Sequence, residues 1–370
     1  MNGIYFYTPT KIYFERNGIE KYLVLVKNYG KNVLIVSGRN FIYKSGLIEK
    51  IKNIFERENI QYSIFSDVNP EPDIENVEKG IELCKKENCD VILAIGGGSA
   101  MDVGKCIAIM ARNKGSLRNY FGEVEYENEP LPVIAIPTTC GTGSEVTRYA
   151  VIIDEKEKTK KTVSSEKIMP KLAILDPDLL DYLSPYLIAA TGMDAFSHAV
   201  ESYLATNSDF ISRFFSIESL KLLKENLKKG VEGDKESKEK IFLASTFAGY
   251  AINRTGTIIV HGIGYSLTIK YKTHHGTGNA LLLPYVLEFL KEKNYEIEIK
   301  EIEKVIGTTS ELKNFITSLK LPSKLREIGA KKEDIEELIN LSIKGCERAM
   351  KKMKFVLSKD DFLKIINSAF

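Results

Sequence analysis

Between residues 30 and 140 the chain alternates two patterns. Short, nearly unbroken apolar runs, "NVLIVSG" (32–38), "YSIF" (62–65), "DVILAIGGGS" (90–99) and "LPVIAIPTT" (131–139), read as strands. Between them "SGLIEKIKNIFERENI" and "DIENVEKGIELCKKENC" place apolar residues three and four apart, the period of a helix. Apolar strands alternating with amphipathic helices predict a parallel sheet covered on both faces. The segment "AILDPDLLDYLSP" (173–185) reads as a hinge, because its prolines interrupt a regular element. Beyond it the β pattern stops. "PYLIAATGMDAFSHAVESYLAT", "DFISRFFSIESLKLLKENLKKGV", "SKEKIFLASTFAGYAIN" and the Lys/Glu-rich tail all keep the helical period. The expected organisation is an α/β domain over residues 1–180 and an all-helical domain over 181–370.

Composition narrows the function classes. Hydrophobic residues make up 44% and charged residues 28% of the 370, an ordinary globular balance. The 52 basic and 50 acidic residues leave a net charge of only +2, so no general affinity for nucleic acid or membrane is expected. No apolar run approaches the roughly 20 residues that span a bilayer. The N-terminal "MNGIYFYTPTKIYFERNG" lacks the basic start and apolar core of a signal peptide, so a cytoplasmic protein is expected. Five irregularly spaced cysteines fit reduced, buried thiols.

Two glycine turns follow strands. In "VILAIGGGSAMDVGKCIAIM" a strand, a glycine turn and a helix follow in order, which suits a pyrophosphate on Gly97, Gly98 and Ser99. The Rossmann fingerprint fails because Met101 stands at its third glycine, and Walker A fails at Ser99 and Cys106. "IPTTCGTGSEVTRYA" (136–150) repeats the arrangement with added hydroxyls, among them Thr138, Thr139 and Thr147. Beside the first turn it forms one wall of a crevice, where open α/β sheets bind ligands.

Histidine is scarce: four in all, three of them in "VHGIGYSLTIKYKTHHG" (260–276). Asp194 and His198, four apart on a helical segment, leave the same face. That pair alone is weak evidence for a metal; the remaining histidines add weight. His261 and His275 would lie about 21 Å apart on one unbroken helix. A break within "SLTIKYKT" and a new helix at "HGTGNALLLPYVLEFLKE" can bring them together. One carboxylate and three imidazoles would then complete a divalent site with room for substrate.

The motifs "GGGSAMDVGK", "PTTCGTGSEVT", "ATGMDAFSHAVESY", "VHGIGYSLT" and "HHGTGNALLLPYV", in this order, resemble the iron-containing (group III) alcohol dehydrogenases, close to their 1,3-propanediol and butanol dehydrogenase branch. The resemblance covers nearly the whole chain. It implies a dehydroquinate synthase-like fold, with an α/β dinucleotide-binding domain and a helical domain. It implies Fe²⁺, replaced by zinc or manganese in some members, on Asp194, His198, His261 and His275. It implies Gly97, Gly98 and Ser99 on the cofactor pyrophosphate, with Thr138, Thr139, Thr147 and Lys160 lining the same site. Homodimers or larger homo-oligomers are usual in such proteins.

Departures from the family pattern are informative. Many relatives have an acidic residue after the first strand, holding the adenosine ribose; here Gly38 and Arg39 follow it. Glycine leaves room for a 2′-phosphate and arginine can pair with it, so NADP(H) is expected over NAD(H). Pro70-Glu71-Pro72 replaces a P-N-P turn. Tyr265 stands where many relatives have a histidine thought to relay the alcohol proton, and becomes the candidate catalytic residue. His274 falls outside the metal pattern.

The expected reaction is hydride transfer between NADP(H) and a small primary alcohol or diol and its aldehyde. The alternatives are a polyol or glycerol-type dehydrogenase of the same fold, or an NAD-preferring 1,3-propanediol dehydrogenase. The segments around the metal motifs show no basic cluster for a phosphorylated substrate.

Overall fold

The computed structural model describes residues 4–157 and 159–370. Nine strands occur among them: β1 (Lys11–Phe14), β2 (Asn32–Ser37), β3 (Gln61–Phe65), β4 (Val91–Gly96), β5 (Gly122–Glu123), β6 (Val133–Pro137), β7 (Tyr149–Asp154), β8 (Thr159–Ser164) and β9 (Leu172–Leu175). Six form one parallel sheet in the order β1-β9-β6-β4-β2-β3, and β5-β8-β7 form a small second sheet. The helices α1 (Gly18–Tyr22), α2 (Arg39–Lys44), α3 (Leu47–Arg57), α4 (Ile74–Lys86) and α5 (Gly98–Arg112) alternate with the strands.

The apolar runs explain the sheet. Every residue of β4 is buried, as are five of the six in β2, because both faces are covered. From β2 the chain crosses to β3 on one side and returns to β4 on the other. That reversal is the topological switch point at which open α/β sheets bind ligands.

The proline-bearing segment is more than a hinge. Leu172–Leu175 is strand β9, paired with both β1 and β6, and Pro177–Tyr182 forms a short 3-10 helix.

The remaining helices are α6 (Pro185–Leu204), α7 (Phe210–Val231), α8 (Lys235–Thr255), α9 (Ile259–Tyr271), α10 (His275–Lys291), α11 (Glu296–Ile306), α12 (Thr309–Ser318), α13 (Ile335–Met350) and α14 (Lys359–Ser368). The Ser184 side chain caps α6 and Pro185 opens it, a pairing that starts helices firmly. Apolar nearly all round, α6 is buried against α7, α8 and α10. Helix α9 outlasts its β-branched stretch and ends where Lys272 turns left-handed at φ 56°.

The chain divides into two compact units. One holds residues 7–139 and 144–182; the other gathers 183–370 with residues 140–143 and the described N-terminal residues through Phe6. The first is the mixed α/β body and the second is built on helices.

Candidate metal centre and cofactor turns

Three helices of the second unit converge on a polar point. Asp194 comes from the middle of α6, His261 from the first turn of α9 and His275 from the first residue of α10. One donor atom from each lies within 4.8 Å of the other two. Asp194 Oδ1 is 3.5 Å from His261 Nε2 and 3.8 Å from His275 Nε2. Glycine makes this approach feasible: a Cβ on Gly276 would lie 2.1 Å from the Ala190 carbonyl oxygen of α6. His198 stands next to this group but outside it. Its ring stacks on His261 with centroids 4.4 Å apart, and its Nδ1–H donates to the Gly141 carbonyl at 3.2 Å. That bond leaves Nε2 as the lone-pair nitrogen.

The electrostatics favour a cation here. Asp194 and Glu201 are both buried, and no lysine or arginine among the described residues pairs with either. Burial disfavours a charged His261 ring, but Glu201 and Asp194 outweigh it and push its pKa up to about 9. Burial would raise the Asp194 carboxyl; the three surrounding histidines instead hold it well below the usual carboxylate range. Burial pushes His198 down to about 4, so it is a neutral ring at physiological pH. His261 Nε2 is buried without a hydrogen-bond partner. The Asp194 carboxylate, a lone-pair nitrogen on His198 and ring nitrogens of His261 and His275 make a donor set that fits a divalent ion.

Sequence reasoning missed two side chains around this point. Glu201, seven residues after Asp194 on the same helix face, accepts from the backbone N–H groups of Ile258 (3.0 Å) and Val260 (2.8 Å) and contacts His261 Nδ1. Asn279, four residues after His275, donates to Asp194 Oδ1 at 2.9 Å and lies 3.1 Å from His275 Nε2. Spacing along α6 and α10 was a usable signal for both. The Tyr265 ring stacks on His275 with centroids 5.0 Å apart, while His274 meets Tyr186 edge-on.

In the α/β unit the strands that lead into the two glycine turns lie side by side. Strands β4 and β6 are neighbours, with Gly96 opposite Pro137, so "GGGS" and "TTCGTGS" leave adjacent carboxyl ends. Gly97 precedes the 15-residue helix α5, whose first N–H groups are available to an anion. A Cβ on Gly97 would sit 3.3 Å from the Thr139 side chain, so the bare backbone keeps the cradle open. Thr138 is buried, its N–H bonded to the Gly96 carbonyl at 2.9 Å. The Ser99 hydroxyl donates to the Pro70 carbonyl.

The lysine of the Walker-like "GKC" faces inward. Lys105 Nζ donates to Ser144 Oγ (2.8 Å), the Thr147 carbonyl (3.0 Å) and the Tyr149 carbonyl (2.8 Å), with Thr147 Oγ1 at 3.4 Å. Asp102, one turn earlier on α5, accepts from Ser144 Oγ and the Val151 N–H. Thr147 is therefore buried and turned toward Lys105. Lys160 forms an ion pair with Glu71 at 2.7 Å. Gly38 opens α2 with extended backbone, and Arg39 pairs with Asp67, both side chains more than half exposed.

No helix among the described residues is long and apolar enough to cross a membrane. Residues 9–177 match the family model described as iron-containing alcohol dehydrogenase, and residues 188–370 match that of the C-terminal part of the same family. The chain is 34% identical to the NAD-dependent methanol dehydrogenase of Bacillus methanolicus, over 90% of this chain and 91% of that protein. It is 30% identical to the NADPH-dependent butanol dehydrogenase of Clostridium saccharobutylicum, over 91% and 89%. An iron-containing alcohol dehydrogenase structure from Thermotoga maritima superposes with a TM-score of 0.90 at 32% identity, covering 99% of both chains.

Proposed function

The chain belongs to the iron-containing alcohol dehydrogenase family, and from that premise we propose that it interconverts a small primary alcohol or diol with its aldehyde, using NADP(H) in preference to NAD(H). As a member it is an iron-dependent, NAD(P)-linked oxidoreductase acting on an alcohol or aldehyde. The finer reading includes action in the cytoplasm as a homodimer or larger homo-oligomer.

The observation that carries the reading is the buried meeting of Asp194, His261 and His275. In it, those three with His198 hold the ion. A divalent metal at this point supplies Lewis acidity toward the substrate oxygen. The protein's part is to keep the donors aimed: Asn279 fixes the Asp194 carboxylate and the Gly141 carbonyl fixes the His198 ring. Gly97, Gly98 and Ser99 bind the pyrophosphate of the dinucleotide, with Thr138, Thr139, Thr147 and Lys160 lining the same site. A nicotinamide supplies the hydride acceptor in oxidation and the donor in reduction. Tyr265 is our candidate for passing the alcohol proton toward solvent, supported by its stacking on His275.

NADP(H) is supported by the absence of a carboxylate at residues 38 and 39. The nearest atom to a Cβ on Gly38 would be 3.5 Å away, so the position is open. The Arg39–Asp67 pair is exposed, and such pairs contribute only about 0–1 kcal/mol, which a 2′-phosphate can displace. One observation favours the opposite preference. Asp67 bridges to Gly38 along the backbone, so its carboxylate can take the role of the missing acidic residue toward a ribose hydroxyl. Steady-state kinetics with NADP⁺ and NAD⁺ on Fe²⁺-loaded enzyme, over methanol, butanol and 1,3-propanediol, test both points. A strong NAD⁺ preference overturns the cofactor assignment, and no turnover of any alcohol overturns the substrate class.

A further inference from the structure

We propose that Glu201 is a positioning residue of the metal centre: it sets the tautomer of His261 and closes the start of the helix that carries it. This rests on the reading of Asp194, His198, His261 and His275 as the ion's ligands. Glu201 lies on α6 with a side chain that is 0% exposed. Its two oxygens do different work. Oε1 accepts from the backbone N–H groups of Ile258, Val260 and His261, at 3.0, 2.8 and 3.4 Å, and so closes the start of α9. Oε2 contacts His261 Nδ1.

A carboxylate oxygen accepts only, so Nδ1 carries a proton, and in the neutral ring Nε2 is the nitrogen left with a lone pair for the ion. Nε2 is the nitrogen that points to Asp194, at 3.5 Å, and it is buried with no hydrogen-bond partner. One residue thereby fixes both where the His261 backbone begins its helix and which ring nitrogen meets the ion. Carboxylates behind metal-bound histidines hold the ring and raise its basicity.

Glutamine at this position separates the two roles. In Glu201→Gln the amide oxygen still accepts the backbone N–H groups, so α9 remains closed. The amide NH₂ now donates to His261 Nδ1 and shifts the ring proton to Nε2, where it opposes the ion. The measurements are Zn²⁺ affinity by competition with a chromophoric chelator, the visible spectrum of the Co²⁺-substituted protein, and thermal stability of the metal-free chains. Wild type binding one Zn²⁺ per chain is the control for the underlying reading; its failure to bind sinks that reading, whatever the variant does. With wild type bound, Glu201→Gln should bind Zn²⁺ about 10- to 100-fold more weakly, with an altered Co²⁺ spectrum and metal-free stability close to wild type. Equal affinity and an unchanged spectrum overturn the proposal and leave Glu201 as a helix cap alone. Should the variant not fold, ¹⁵N-histidine NMR of Zn²⁺-loaded wild type decides. A ring protonated at Nδ1 and ligated through Nε2 supports the proposal, and ligation through Nδ1 overturns it.

Discussion

Lys105→Met is the sharpest test of how the cofactor segment is held. The ammonium is fully buried and donates to Ser144 and to the carbonyls of Thr147 and Tyr149. Methionine fills much of the same volume but removes every donor. Two buried carbonyls then lose their partner, at about 1–3 kcal/mol each. Asp102, linked to Lys105 through the Ser144 hydroxyl, loses its nearest cation, and breaking such a pair costs up to about 3–5 kcal/mol in all. We expect about 4 kcal/mol of destabilisation in urea titrations and a melting point lower by about 5 °C. Because residues 144–151 hang from this lysine, the dissociation constant for the nicotinamide cofactor should rise as well. The double variant Lys105→Met/Asp102→Asn removes the orphaned charge and should recover about 1–2 kcal/mol. A loss below about 1 kcal/mol for the single variant, or strictly additive losses in the double, would refute the network.

The same lysine predicts a pH dependence. Burial, opposed by Asp102 and Glu145, pushes its pKa down from 10.5 to about 8. Between those values the folded chain has released a proton that the unfolded chain keeps, so stability rises with pH across the window, by at most about 3 kcal/mol. Below pH 8 the cost of burying the ammonium is present in full; urea denaturation at pH 7.5 and 10 should show the rise in wild type and not in Lys105→Met. Asp194→Ala should cut bound metal from one per chain to under about a tenth, measured by elemental analysis, with activity falling in step. Chelator treatment of wild type should do the same reversibly, and metal at a hundred times its dissociation constant should add about 2.7 kcal/mol of stability. Arg39→Ala should weaken NADP⁺ binding about ten-fold and leave NAD⁺ unchanged by fluorescence titration, whereas Asp67→Asn should shift preference toward NADP⁺. Tyr265→Phe should lower kcat about 100-fold with little change in KM, and an unchanged kcat would remove Tyr265 from the proton path.

The parts of the fold that sequence exposes are those where burial is two-sided. β2, β3, β4 and β6 stand out as apolar runs. β1 and β9 do not, because "KIYF" is short and mixed and "LAIL" leads straight into "DPD". The β7–β8 hairpin was hidden for another reason: "TKKTVS" carries lysines and hydroxyls and alternates only weakly. Around the metal centre the rarity of histidine singled out His261 and His275. Glu201 escaped notice because glutamate is abundant in this chain and an acidic residue on a helix usually meets solvent. No side-chain pattern could reveal the Gly141 carbonyl behind His198, since that group belongs to the backbone.

That carbonyl has a consequence for anyone dividing the protein. Residues 140–143 leave the α/β body, join the helical unit, and are followed by a return to the sheet. Within the helical unit Gly141 receives the His198 bond, and Gly143 at φ 60° lies so close to Gly249 that a Cβ would come within 2.4 Å. A fragment cut at residue 183 would carry all four histidines yet lack both of these supports. The helical unit thus draws on chain from within the other unit's span of sequence, so neither is a module that evolution or an engineer can exchange with a single crossover.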